Sequence, residues 1–242
     1  SQRLIMPLGM SRMVVGYRAR FEALLKQLNA RRLEQGVQLL LARTEQLRQQ
    51  GMQKHVALAH VHDRLWRIVE KRKSSRPHAT AHPSACNEAP HRFVCDSGLA
   101  GLARWLRAAG YEAYWEPAIP DDRLLALARQ SNAILLTTDS MLLERRLIRT
   151  GIIKCLWIPP AMSAEAQLAL VFRELGLSLQ PARCMSCGGE LQPVDKNAVR
   201  ERVPPKTWRW KDEFFLCKSC DKLFWHGTHW ERITQRLNKL TT

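Results

Sequence analysis

Two apolar runs dominate the hydrophobic pattern, Phe93-Val94-Cys95 after Arg92 and Ile134-Leu135-Leu136-Thr137-Thr138, and each ends on an aspartate, Asp96 and Asp139. Short apolar runs without polar alternation predict strands buried on both faces of a parallel sheet. Glu112–Trp115 and Lys154–Ile158 predict two more strands. Between the first two strands, Leu99, Leu102, Ala103 and Leu106 recur at helical spacing up to Gly110. A second helix starts at Asp121 or Asp122 and carries Leu124, Leu125, Leu127 and Ala128. Ser140 can cap a third with Leu142, Leu143 and Leu147, and Ser163 a fourth that ends near Gly176. Strands alternating with helices predict an α/β fold, a parallel sheet flanked by helices with right-handed crossovers.

The first 73 residues read as helical. Phe21, Leu24, Leu25 and Leu28 share one face, Val37, Leu40, Leu41 and Leu47 another, and Leu58, Val61, Leu65 and Ile68 a third. Two or three helices with breaks near Gly36 and Gly51 account for this. Residues 74–91 are rich in Pro, Ala, Ser and His and read as a linker, with His78, His82 and Cys86 incidental to it.

Strand-end carboxylates carry the first candidate chemistry. Ligands of open α/β sheets sit beyond the carboxyl ends of the strands. Two carboxylates gathered there repel unless a proton or cation intervenes. Hard cations prefer carboxylate oxygen, so Asp96 and Asp139, with Asp121 third, suit Mg²⁺ or Mn²⁺. Asp122 and Glu116 compete for the third place, whereas Glu144 fits an outward helix position. Helix capping and ion pairing are the competing roles for each acid. Such a centre activates water against a phosphodiester, and the developing charge needs cations. Arg104 and Arg107 after Asp96, and Arg145 or Arg146 after Asp139, are the candidate substrate-binding residues, each weighed against simple solvation. No Ser-His-Asp pattern, Walker loop or dinucleotide-binding glycine fingerprint is present.

Cys184-Met-Ser-Cys187 and Cys217-Lys-Ser-Cys220 are two CxxC knuckles with 29 residues between them. Four thiolates at this spacing suit one closed, tetrahedral structural zinc site. Two disulfides are the alternative. No secretory signal pattern supports them, and Cys86, Cys95 and Cys155 are scattered. His226 and His229 fit the ribbon surface better than the metal.

The formal charge of +16 is uneven. Residues 1–91 hold 16 Lys/Arg against 6 Asp/Glu, residues 92–180 hold 10 against 9, and residues 181–242 hold 12 against 7. Basic flanks around an acidic pocket suit a polyanion, because neutralising phosphates releases counterions. Trp208, Trp210, Phe214, Phe215, Phe224, Trp225 and Trp230 are interleaved with Lys206, Arg209, Lys211, Lys218 and Lys222. Such rings either form a ribbon's small core or stack on single-stranded bases. No run of about 18 apolar residues exists, so no membrane span is expected, and the cytoplasm is the expected compartment.

Phe93-Val94-Cys95-Asp96, Leu102 to Arg107, Gly110-Tyr111, Asp121 with Leu124-Leu125, and Ile134 to Thr137 before Asp139 resemble the Mut7-C ribonuclease family of PIN-like nucleases. The likeness continues through Arg183-Cys184, Arg202-Val203-Pro204-Pro205 and Trp225-His226-Gly227-Thr228-His229, over roughly residues 92–233. Thr138 stands where that family usually carries Arg. The resemblance implies a PIN-like domain at 92–180, a zinc ribbon and C-terminal helix at 181–242, and RNA as the polyanion. The expected activity is metal-dependent, endonucleolytic RNA cleavage at Asp96, Asp121 or Asp122, and Asp139. The alternatives are an RNA- or ribosome-binding adaptor, or a toxin-like nuclease controlled by a regulatory protein.

Overall fold

A computed structural model describes residues 11–74, 91–225 and 233–238. The linker with His78, His82 and Cys86, and His226, His229 and Trp230 of the ribbon, lie outside the described residues. In chain order the elements are α1 (Arg12–Gln27), α2 (Leu33–Gln49), α3 (Lys54–Ser74), β1 (Arg92–Cys95), α4 (Ala100–Ala108), β2 (Glu112–Trp115), α5 (Asp121–Gln130) and β3 (Ile134–Thr137). They continue with α6 (Arg146–Arg149), β4 (Cys155–Trp157), α7 (Ala164–Leu175), β5 (Leu191–Val194), α8 (Pro205–Trp210), β6 (Phe214–Cys217), β7 (Leu223–Trp225) and a closing helix over residues 233–238. Packing divides the chain into two units: residues 1–88 with 139–149, and residues 89–138 with 150–242.

In the first unit α1, α2 and α3 pack against one another around Phe21, Leu24, Val37, Leu58, Val61 and Val69. Gly51 ends α2 as expected, at φ +93°. Gly36 does not break a helix. It lies inside α2, where an added Cβ would stand 2.8 Å from Leu25 Cδ1, so the glycine admits the close approach of α1. Ile68, expected on the buried face of α3, is 51% exposed, and Trp66 and Val69 are buried instead. His62 is buried beside Tyr17, Phe21 and Trp66, and its Nε2 lies 3.2 Å from Arg20 Nε. The segment after β3 is a 3₁₀ turn, Ser140–Glu144, packed on α1, followed by the short α6. The single helix expected there is interrupted at Arg145, whose ψ of 134° is extended. Asp139 rather than Ser140 caps the turn, accepting from Met141 N at 2.9 Å.

The second unit is built on a four-stranded parallel sheet in the order β2-β1-β3-β4. The central strands β1 and β3 are buried almost throughout, as continuous apolar runs require. Phe93, Cys95 and Leu136 share a core with Leu102 and Leu106 of α4 and Leu168 and Val171 of α7. Each fully buried leucine contributes roughly 1.5–3 kcal/mol. α5 packs on β1 and β3 with Leu124, Leu125 and Ala128 buried. Ser163 caps α7 through Ala166 N, and Gly176 ends it at φ +62°.

The antiparallel sheet β5-β6-β7 carries the ribbon. It falls in the same compact unit as the parallel sheet. Residues 178–183 lie against the end of α4: Gln180 N donates to Ala109 O and Arg183 N to Arg107 O. Gly110, at φ +96°, is required there, since a Cβ would come within 2.6 Å of the Gln180 backbone. Ile233 and Leu237 of the closing helix join the core of the parallel sheet.

Candidate active site and thiolate centre

The carboxyl end of β1 delivers Asp96, which is 8% exposed. Its Oδ2 accepts from Thr137 Oγ1 at 2.7 Å, Thr138 N at 2.6 Å and Thr138 Oγ1 at 3.1 Å. Its Oδ1 accepts from Gly98 N at 3.0 Å. One oxygen is thus anchored by three donors from the end of β3, while the other meets a single amide. The surrounding turns are fastened by two indoles: Trp115 Nε1 donates to Ser97 O and Trp157 Nε1 to Thr138 O. Thr137 and Thr138 are the positioning residues that sequence reasoning missed. Their only signal was a pair of hydroxyls at the end of an otherwise apolar strand.

Cys95 and Cys155 are poor nucleophiles. Burial drives the Cys95 thiol far above its usual range and Cys155 up to about 12, with the neighbouring Asp96 charge adding to both.

Asp121 and Asp122 lie exposed in the first turn of α5, at the same edge of the sheet by topology. Glu116 accepts from Tyr114 OH at 2.5 Å and pairs with Arg123 at 3.0 Å, so it is already engaged. Asp139 follows Thr138 directly and is half-buried; Glu144 is exposed on the 3₁₀ turn. Arg104 is exposed on α4, and Arg145 and Arg146 are exposed in the first unit.

Arg107 departs from expectation. A substrate-binding guanidinium should face solvent, but Arg107 is 5% exposed. Its Nε donates to Ala113 O at 2.8 Å, and its Nη1 to Met185 O at 3.2 Å and Ser186 O at 2.8 Å. It therefore ties α4 and β2 to the first CxxC knuckle. Burial lowers its pKa, and the Cys95, Cys187 and Cys184 charges oppose that shift. Arg107→Lys keeps the charge but loses the planar fork that reaches several carbonyls. We expect it to cost about 2–3 kcal/mol through unmet buried acceptors, seen as a lower urea midpoint at unchanged m-value.

The four knuckle cysteines do converge. The sulfurs of Cys184, Cys187, Cys217 and Cys220 all lie within 4.8 Å of one another. The pairs Cys184–Cys220 and Cys187–Cys217 are 3.6 and 3.5 Å apart. Disulfide sulfurs would be about 2.05 Å apart, whereas a tetrahedron with Zn–S near 2.3 Å has edges of roughly 3.8 Å. The set therefore fits a structural zinc.

Backbone geometry supports that reading. Gly189 N donates to Cys187 Sγ and Ser219 N to Cys217 Sγ, both at 3.4 Å. A Cβ on Gly189 would come within 2.8 Å of Cys217 Sγ. Burial raises Cys217, but the Cys220 and Ser219 amides outweigh it and bring the thiol down to about 7. Among the described residues this is the one group of three or more His, Cys, Asp or Glu side chains gathered closely enough to hold an ion. Asp96, Asp121 and Asp122 are not gathered in that way.

The ribbon's rings divide between packing and exposure. Phe214 is buried with Val199 and Val203, with Trp208 and Trp225 packed against them. Two cations also approach the Trp208 ring, Lys196 Nζ at 5.2 Å and Arg200 Cζ at 5.1 Å from its centroid. Trp210 is 72% exposed. Among the described residues, no helix is long and apolar enough to cross a membrane.

A model of the Mut7-C RNAse domain matches residues 91–237. No curated protein matches the chain, and no solved structure matches it.

Proposed function

The chain belongs to the Mut7-C RNAse domain family, and from that premise we propose a metal-dependent endoribonuclease working at Asp96 and Asp139 with a structural zinc in its ribbon. The family makes it a nuclease-type enzyme with RNA as substrate. The observation that carries the finer reading is Asp96 itself, a largely buried carboxylate at the carboxyl end of a central strand, oriented by Thr137 and Thr138. Oδ2 is held in place, and Oδ1, with one amide partner, retains a lone pair for a hard cation. Asp139 is the second proposed ligand because it follows Thr138 in the chain, and Asp121 or Asp122 the third from the start of α5. A bound Mg²⁺ or Mn²⁺ supplies Lewis acidity and activates water for attack on phosphorus.

The protein's own groups do the positioning. The Thr137 and Thr138 donors fix the carboxylate before substrate arrives, and burial of Asp96 excludes competing water. Arg104, exposed one helix beyond Asp96, is the cation proposed to meet the RNA phosphate, with Arg145 and Arg146 as further candidates. Cytoplasmic action is proposed with this activity, the thiolate centre being suited to a reducing compartment.

One observation favours a second reading, an RNA- or ribosome-binding adaptor with a silent acidic site: both Asp96 oxygens already accept hydrogen bonds. The deciding experiment is cleavage of end-labelled single-stranded RNA by the zinc-loaded protein with Mn²⁺, Mg²⁺ or EDTA. Internal products that need the added cation support the nuclease. Tight RNA binding without products under any cation supports the adaptor.

A further inference from the structure

The helices α1 to α3 of the first unit lie outside the family match and carry a groove of their own. A cavity of about 450 Å³ runs between α2 and α3, lined by Leu40, Val61, Leu65 and Ile68 with Arg43, His60 and Arg64. α1 packs on both α2 and α3 and lines none of it. The groove is therefore an outer seam of the three-helix packing. His60, Arg64 and Ile68 stand four residues apart along α3, so the seam is about 12 Å long, roughly two turns of helix. Ile68 is 51% exposed, against the hydrophobic pattern of its own helix.

We propose that this groove docks an acidic amphipathic helix of a partner protein. The apolar lining asks for an apolar stripe at i, i+3, i+4 and i+7, the spacing by which a helix fills a groove. The charge decides the rest. Two guanidiniums and an imidazole line the groove, and no carboxylate does, so Asp and Glu beside the stripe are recognised and basic helices are repelled. A second copy of this chain is a poor occupant, since residues 1–91 hold 16 Lys/Arg against 6 Asp/Glu. Residues 75–90 are equally unsuited, with three prolines and one acid, Glu88. A bare RNA strand would not use Leu40, Val61, Leu65 and Ile68, and the lining offers no Phe, Tyr or Trp for a base to stack on.

The test is independent of the nuclease reading. A displayed library of 20-residue helices with randomised faces is selected against the full chain. An enriched peptide is then titrated by fluorescence anisotropy against the parent, Ile68→Asp, Arg64→Glu and Arg43→Glu. The expected result is enrichment of acidic helices with the i, i+3, i+4, i+7 stripe, weakened at least 10-fold by Ile68→Asp and by Arg64→Glu while circular dichroism is unchanged. Those peptides should leave RNA cleavage by the parent countable, so failure of either activity is read separately. Enrichment without that pattern, or binding indifferent to Ile68→Asp, overturns the proposal. So does single-stranded RNA binding that falls with Arg64→Glu yet ignores Ile68→Asp, which would assign the surface to RNA.

Discussion

Asp96→Asn is expected to lower RNA cleavage by roughly 10³-fold, the upper range for removing one preorganised polar group aimed at a reaction centre. The loss should be chemical rather than structural. An asparagine oxygen in the Oδ2 position still accepts from Thr137 and Thr138. Its amide nitrogen then faces the Gly98 N–H, two donors where a donor and an acceptor had met. That mismatch costs about 1–2 kcal/mol and leaves the fold intact. Thr137→Val removes only the hydroxyl that orients the carboxylate, and a fall of about 10–100-fold is expected, as for other groups that orient a ligand. The measurement is the initial rate on end-labelled RNA at saturating Mn²⁺, paired with thermal melts. Asp96→Asn with undiminished cleavage would remove the acidic site from the mechanism.

Cys217→Ser carries the largest expected effect on stability. Structural zinc in isolated finger peptides binds with about 10–16 kcal/mol of apparent free energy, which is folding free energy. Cys217 is 1% exposed and lies against the backbone of Ser219 and the glycine turn at Gly189. Losing it should therefore collapse the metal centre rather than leave a three-ligand site. The damage is not confined to the ribbon. The carbonyls of Met185 and Ser186, inside the first knuckle, hold Arg107, which also holds β2 through Ala113. Zinc content should fall from one ion per chain to a small fraction. The unfolding midpoint should drop by roughly 10 °C or more, given about 2–4 °C per kcal/mol for a chain of this size. Metal analysis and calorimetry check both, and an unchanged midpoint with full zinc content would refute the assignment.

Much of the sheet was legible because β1 and β3 are short apolar runs punctuated by acids, a pattern that suits strands buried on both faces of a parallel sheet. The thiolate centre was legible for a related reason, since ligand spacing within a CxxC turn is local chemistry. What failed was everything set by a distant neighbour. Arg107 read as a surface cation because nothing in α4 announces that a CxxC knuckle will bring it carbonyls from 78 and 79 residues away. Gly36 read as a break because only the approach of Leu25 explains it. The helix expected after Ser140 has apolar residues at helical spacing, yet packing on α1 divides it at Arg145. Thr137 and Thr138 have ordinary strand-end identities, and their role appears only when β3 is set beside β1.

Residues 139–149 belong with the N-terminal helices although they follow β3, and this fixes a schedule for synthesis. α3 ends at Ser74, so Asp139 emerges about 65 residues later, roughly 3–13 s at 5–20 residues per second. Throughout that delay the surface of α1 that receives the 3₁₀ turn has no native cover. The helical unit is thus completed only after β3 has been made, and a chaperone that shields α1 has a defined interval in which to act.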